Sequence, residues 1–377
     1  MAAFHPSSSS SSSMDEEQKQ RYDRQIRVWG AEAQSRIQTS RVLIVGLRGI
    51  NVEVTKNVVL AGVNVVIQDS ETVHARDLSS NFFLTSADVG ATTVAAALPR
   101  IQQLNTYASV TAETRPLHQL DDDYFRGFSV VVVHDCAEVR DVLHATPYPF
   151  FILADDSCPS FFILTLCLSL SLFGLQEQAL RLNALCRLNT PHSVFFLSGT
   201  FGLEGWFIAD FGDNFQYTND PPNNKVVKKV AFPSLQTVFD QKWLDMKSKH
   251  FAVSTTYVKS RILRIFVDKY RRYPAVSSSA GGGVDDDGGL LAALAAEVLA
   301  ANGLADDAAF AASLALADLP RVATAETVMV CSALGSFLAQ EVIKAVSLSG
   351  EPGFNVFVCS GFDCSVIAMP IAPPPAT

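Results

Sequence analysis

A chain of 377 residues, 48% hydrophobic and 18% charged, has the length for about two domains, or for one large α/β domain with additions, and enough apolar side chains for a core. Its formal net charge of −9 makes it a poor coat for nucleic acid or an anionic membrane, so neither is expected among its partners. The seven cysteines (Cys136, Cys158, Cys167, Cys186, Cys331, Cys359 and Cys364) form no CxxC pair, so no metal site is expected, and most lie in apolar runs that suit reduced core thiols.

The chain opens on a tail, residues 1–15, whose serine run Ser7 to Ser13 predicts disorder. Met14 follows directly and is an alternative start. Residues 16–36 predict a helix: Tyr22, Ile26, Trp29 and Ala33 recur at spacings of four, three and four, and Gly30 marks a bend. Arg21, Arg24 and Arg27 lie on another face. Residues 41–46 read as a buried parallel strand, 51–60 as a helix, and 63–68 as a second strand ending at Asp69. This βαβ unit predicts a doubly wound, mostly parallel Rossmann-like α/β sheet. Residues 91–105 predict a helix and 128–134 another buried strand.

The rhythm then breaks. The next strand is 193–197 and its crossover helix is 175–188, which leaves about thirty extra residues, 142–173, where short connections are the rule. Residues 161–173 are uncharged and rich in Ser, Leu and Phe, but short for a membrane span of about 20 residues. Those residues use pyrimidine-rich codons, so a retained intron or gene-model error is the leading explanation. A real buried insertion and a membrane anchor are the competing ones. Beyond it, 225–231 resembles a strand and 251–270 a helix. Residues 277–289 form a Ser/Gly/Asp linker, 290–319 an alanine- and leucine-rich helical stretch, 329–346 a helix and 354–359 a late strand. In domain terms, residues 16–270 make one Rossmann-like domain interrupted at 142–173. Residues 271–319 are linker and helical insertion, 320–367 return to the domain, and 368–377 are a disordered tail.

Gly46-Leu47-Arg48-Gly49-Ile50-Asn51 joins the first strand to the first helix of the βαβ, and Asp69 follows Gly49 by twenty residues. That context suits a nucleotide: a tight turn, a helix N-terminus toward phosphate, an acid toward ribose hydroxyls. As a dinucleotide fingerprint it fails, because Arg48 stands at the middle glycine and Asn51 near the third. An arginine side chain would project where the backbone should meet pyrophosphate.

Arg21-Tyr22-Asp23-Arg24-Gln25-Ile26-Arg27-Val28-Trp29-Gly30 resembles the entry motif of the ubiquitin-activating enzyme superfamily, of ThiF-like fold. Gly46-Leu47-Arg48-Gly49, Lys56-Asn57 and Leu60-Ala61-Gly62-Val63 resemble its first βαβ. Ser198-Gly199-Thr200-Phe201-Gly202-Leu203-Glu204-Gly205 resembles a later strand and turn, and Leu338-Ala339-Gln340-Glu341-Val342-Ile343-Lys344 its C-terminal helix. The glycine turn together with Leu60 to Val63 is most similar to the small subunits of SUMO-activating enzymes.

The resemblance implies a heterodimer with a large catalytic subunit, which holds MgATP, adenylates SUMO and takes it as a thioester on a cysteine. It also implies a nuclear location, with the cytoplasm as a second one. Active halves of the superfamily carry an arginine and a glutamine after the ribose aspartate, and a lysine after the next glycine. Here those positions fall on Ser80, Asn81 and about Thr93. Two phosphate-binding cations are missing, each contact being worth about 1.5–3 kcal/mol. No cysteine matches a catalytic context. The chain is therefore expected to bind no cofactor, with Gly46, Gly49 and Asp69 vestigial. The resemblance gives Arg24 one role, reaching across the interface toward the partner's ATP, with Arg27 a weaker candidate. The bland alternative for Arg24 is an ion pair with Asp23 or another acid of its own chain. Alternative functions are the corresponding subunit for another modifier, or a Rossmann oxidoreductase.

Overall fold

Val42, Leu43, Ile44 and Val45 are fully buried, as a strand covered on both faces requires. They form most of β1 (Arg41–Val45) in the computed structural model, which describes residues 16–135, 175–219, 226–246, 253–275 and 287–371. The serine tail, residues 142–173, much of the predicted linker and residues 372–377 lie outside the described residues, as do Cys136, Cys158 and Cys167.

The elements follow in order. Helices α1 (Glu16–Trp29) and α2 (Ala31–Thr39) precede β1, and α3 (Ile50–Ala61), β2 (Asn64–Gln68), α4 (Thr93–Gln102), β3 (Val110–Glu113) and β4 (Val130–His134) complete the first half. Then come α5 (Leu175–Leu188), β5 (Val194–Phe201), β6 (Glu204–Asp210), β7 (Phe215–Thr218), β8 (Val227–Val230), α6 (Leu235–Asp240) and α7 (Thr255–Tyr270). The last part holds α8 (Gly288–Ala301), α9 (Ala308–Ser313), α10 (Leu319–Val322), α11 (Val328–Ser347), β9 (Val356–Ser360) and β10 (Ser365–Met369).

The main sheet runs β10-β9-β6-β5-β4-β1-β2-β3. From β3 to β5 neighbouring strands are parallel, and β6, β9 and β10 add antiparallel. The doubly wound α/β expectation holds, with an antiparallel extension. Strand order reverses between β1 and β4, the topological switch point where ligands of such sheets bind.

The two faces carry separate cores, set by side-chain alternation. Val42, Ile44, Val130 and Val132 point to the layer holding α3 and α11, while Leu43, Val45, Val131 and Val133 point to the layer of α5 and α7. Each such side chain stabilises the fold by about 1.5–3 kcal/mol through burial. Helix α3 is sandwiched between sheet and α11, so even Asn51, Glu53 and Thr55 are buried. A Cβ at Gly335 would lie 2.5 Å from the Glu53 Cβ, so only glycine allows α11 to approach this closely. By length and apolarity α11 could cross a bilayer, yet half of its most apolar window is buried in the fold, the behaviour of a core helix.

Some expectations are corrected. The first helix is two helices, because Gly30 adopts φ 89°, a left-handed value that ends α1. The stretch 290–319 is broken into α8, α9 and a 3₁₀ turn (Leu316–Asp318) that runs into α10. Gly303 at φ 78° stops α8, and the Asp307 carboxylate caps α9 by accepting the Phe310 amide at 3.0 Å. The strand expected at 225–231 is present as β8, and it pairs with β7 in a separate two-stranded sheet.

Candidate functional site

The βαβ turn lies at the C-terminal ends of β1, β2 and β4, where Gly46, Asp69 and His134 meet. Gly46 (φ 80°) and Gly49 (φ 45°) turn the chain from β1 into α3. Asn51, at the place of a third glycine, donates its side-chain amide to the Val45 and Gly46 carbonyls at 2.9 and 3.0 Å. The turn is thus held from within.

Asp69 ends β2 as expected, but its carboxylate faces inward. One oxygen accepts the Leu47 amide at 2.8 Å and the other the Glu71 amide at 2.8 Å. Burial pushes this carboxyl up to about 6, against the opposing pull of those two amides and of Arg48. The acid that would greet a ribose is engaged by the turn itself.

Arg48 does not stand in an open phosphate cleft. Its guanidinium is buried and pairs with Glu71, Asp77 and Glu326, each at 3.3 Å. Ser80 donates its hydroxyl to Glu326 at 2.6 Å, Asn81 donates to the Leu47 carbonyl at 3.0 Å, and the Thr93 amide donates to the Glu71 carbonyl at 2.9 Å. The three positions that replace the family's arginine, glutamine and lysine therefore do converge on this turn. They complete a network in which carboxylates surround one cation. A triphosphate needs the opposite arrangement, so these residues do not fit one. Glu71, Asp77 and Glu326 were not foreseen from the sequence. Glu326 comes from the segment before α11, and no local pattern links it to the turn.

Arg24 is exposed on α1. The intrachain alternative, a pair with Asp23, is not what the fold contains: Asp23 pairs with Arg27 one turn on, at 2.8 Å. Arg21 is used too, donating to the Leu104 carbonyl at 2.8 Å. On the other face Tyr22 is buried and its hydroxyl accepts from Asn105 at 2.8 Å, which anchors α1 to the domain. Among the described residues Arg24 makes no ion pair or side-chain hydrogen bond, so its guanidinium is available at the surface. The thiols point away from nucleophilic use. Cys186, Cys331 and Cys359 are buried, and burial pushes all three above the ordinary thiol range. Cys364 is exposed, in the turn between β9 and β10.

Comparison with known proteins gives a consistent picture. The ThiF family model matches residues 22–145. SUMO-activating enzyme subunit 1 of Xenopus laevis is 30% identical, over 92% of this chain and 94% of its own length. The proteins of that name from Homo sapiens and Danio rerio are each 28% identical, over 92% of this chain and 93% of their own lengths. Among solved structures, the crystal structure of SeMet PaaA has a TM-score of 0.50 at 13% identity, covering 97% of this chain and 87% of that one, a likeness of fold alone.

Proposed function

The chain belongs to the SUMO-activating enzyme subunit 1 family, and from that membership we propose that it is the non-catalytic half of a heterodimeric SUMO-activating enzyme. In this reading the large subunit binds MgATP, adenylates the C-terminus of SUMO and carries the thioester. The present chain completes that adenylation site and has no turnover alone. The heterodimer acts in the nucleus, with the cytoplasm as a second location.

One observation carries the proposal: the chain's own nucleotide turn is filled by Arg48 and its three carboxylates. The buried thiols support it, since none of the three is poised as a thiolate. The oxidoreductase alternative is disfavoured at the same place, because Arg48, where a dinucleotide turn has its middle glycine, is buried among three carboxylates.

Arg24 is the residue proposed to act in trans. Its own carboxylate neighbour is taken by Arg27, which leaves a fixed positive charge to offer to the partner's ATP. Positive charge at a transferring phosphate stabilises the charge that develops there. ATP–pyrophosphate exchange tests the reading. The purified chain alone should show none, and the heterodimer with SUMO should show it. Arg24→Ala should slow it roughly ten- to a hundredfold, the range for one charge-assisted contact, with heterodimer assembly intact. Exchange by the lone chain, or an unchanged rate for Arg24→Ala, would count against it.

A further inference from the structure

Helix α3 begins at Gly49 with no side-chain cap of its own. The N-terminus of a helix carries partial positive charge and exposed amides, and in nucleotide-binding βαβ units a phosphate sits there. Here a carboxylate sits there instead. A Cβ built on Gly49 would lie 3.3 Å from the Glu326 carboxyl carbon and 3.4 Å from its Oε2. The same carboxylate pairs with Arg48 through Oε1 at 3.3 Å and accepts the Ser80 hydroxyl through Oε2 at 2.6 Å. Its guanidinium and hydroxyl partners are donors that a phosphate also recruits, and it lies beside the start of α3 together with the His134 imidazole, whose Nε2 is 3.1 Å from the same Cβ position.

The placement of Glu326 is independent of any ligand. The Gly202 amide donates to the Ala325 carbonyl at 2.9 Å, and the Thr327 hydroxyl donates back to the Gly202 carbonyl at 2.5 Å. Val322 packs directly against Gly202, its Cβ 2.9 Å from the position a Cβ there would take. The segment before α11 is therefore clamped to the turn between β5 and β6, and it delivers Glu326 onto the first turn of α3.

We infer that Glu326 is the resident anion of the glycine turn, an internal stand-in for a nucleotide phosphate that holds this half closed and folded without ATP. The inference rests on the reading that this chain's own site takes no nucleotide.

Thermal unfolding of the full-length chain tests it, with inorganic phosphate as the probe. Glu326→Ala should melt lower by about 5 °C, the scale for losing one partner of a buried ion pair in a chain of this size. Millimolar phosphate should restore most of that loss, saturably, where chloride at equal ionic strength does not. The wild-type protein should respond to phosphate no more than to chloride. An Ala variant with no phosphate-specific recovery overturns the inference, and so does an equal response of both proteins. Stabilisation of the wild-type chain by MgATP would instead overturn the functional reading on which it rests. If Glu326→Ala does not fold, Glu326→Gln keeps the volume and the Ser80 contact. Arg48→Met should then lower the melting temperature less in the Gln background than in the wild type, and equal losses in both backgrounds contradict the pairing.

Discussion

Arg24 and Arg27 lie three residues apart on α1 and differ in their partners. Arg27 lies four residues after Asp23 on the same face and closes the ion pair, while Arg24 is directed elsewhere. The motif that carries Arg24 was legible from the sequence, as were Gly46, Gly49, Asp69 and the substitutions at Ser80, Asn81 and Thr93; the Asp23–Arg27 pair was not. What was not legible is how the turn compensates. Glu326 is far from Ser80 in sequence, so only the fold reveals the cluster. Asp69 gives a pH test at this scale. Its folded carboxyl is raised from 3.8 to about 6 by burial, with the nearby Asp77 charge adding to the rise and Arg48 opposing it. The folded state therefore holds the proton more tightly than the unfolded state. Stability is favoured below the unfolded value, declines as pH rises through the folded one, and is lower by roughly 3 kcal/mol once Asp69 is ionised. Urea unfolding should show this decline in the wild-type chain between about pH 4 and 6 and lack it in Asp69→Asn. Parallel profiles would remove Asp69 from the account.

At the scale of elements, strongly patterned segments were read well and weakly patterned ones were not. The runs of β-branched residues at β1 and β4 and the stripe of α5 announce themselves. Strand β3 does not: it lies at a sheet edge with two of its four residues exposed, and Val110 to Glu113 carries no apolar run. Strand β10 does carry a short one, Val366 to Met369, but was not expected as a strand. The alanine-rich stretch hid its own breaks, because alanine favours helix everywhere while Gly303 and Asp307 set the ends. The anomaly at 142–173 falls between elements, and the surrounding fold bears on it. Asp135, before the segment, pairs with Arg264 at 2.5 Å, and the Gln176 side chain, after it, accepts from Arg261 at 3.4 Å. Both arginines lie on one turn of α7, so the two ends of the segment are anchored side by side. Deleting 142–173 should leave an eight-residue connection, reaching up to about 27 Å, which is ample between neighbouring anchors. The deleted protein should keep its circular dichroism spectrum and its capture of the large subunit. An insoluble or partner-deficient product would show that the segment is required.

For the whole molecule, the account is of a nucleotide-binding architecture retained for its shape. The doubly wound sheet, the switch point and the glycine turn are all present, and the chemistry at that turn is reversed in sign: a buried cation ringed by acids where an anion would need cations. Opposite this closed turn in function stands the exposed Arg24, proposed to serve a site on another chain. The proposed heterodimer therefore has two related folds but one working nucleotide site. Isothermal titration of MgATP into the purified heterodimer counts those sites directly. The account predicts one nucleotide per heterodimer and no binding heat with this chain alone. Two nucleotides per heterodimer, or stoichiometric binding to the isolated chain, would contradict it.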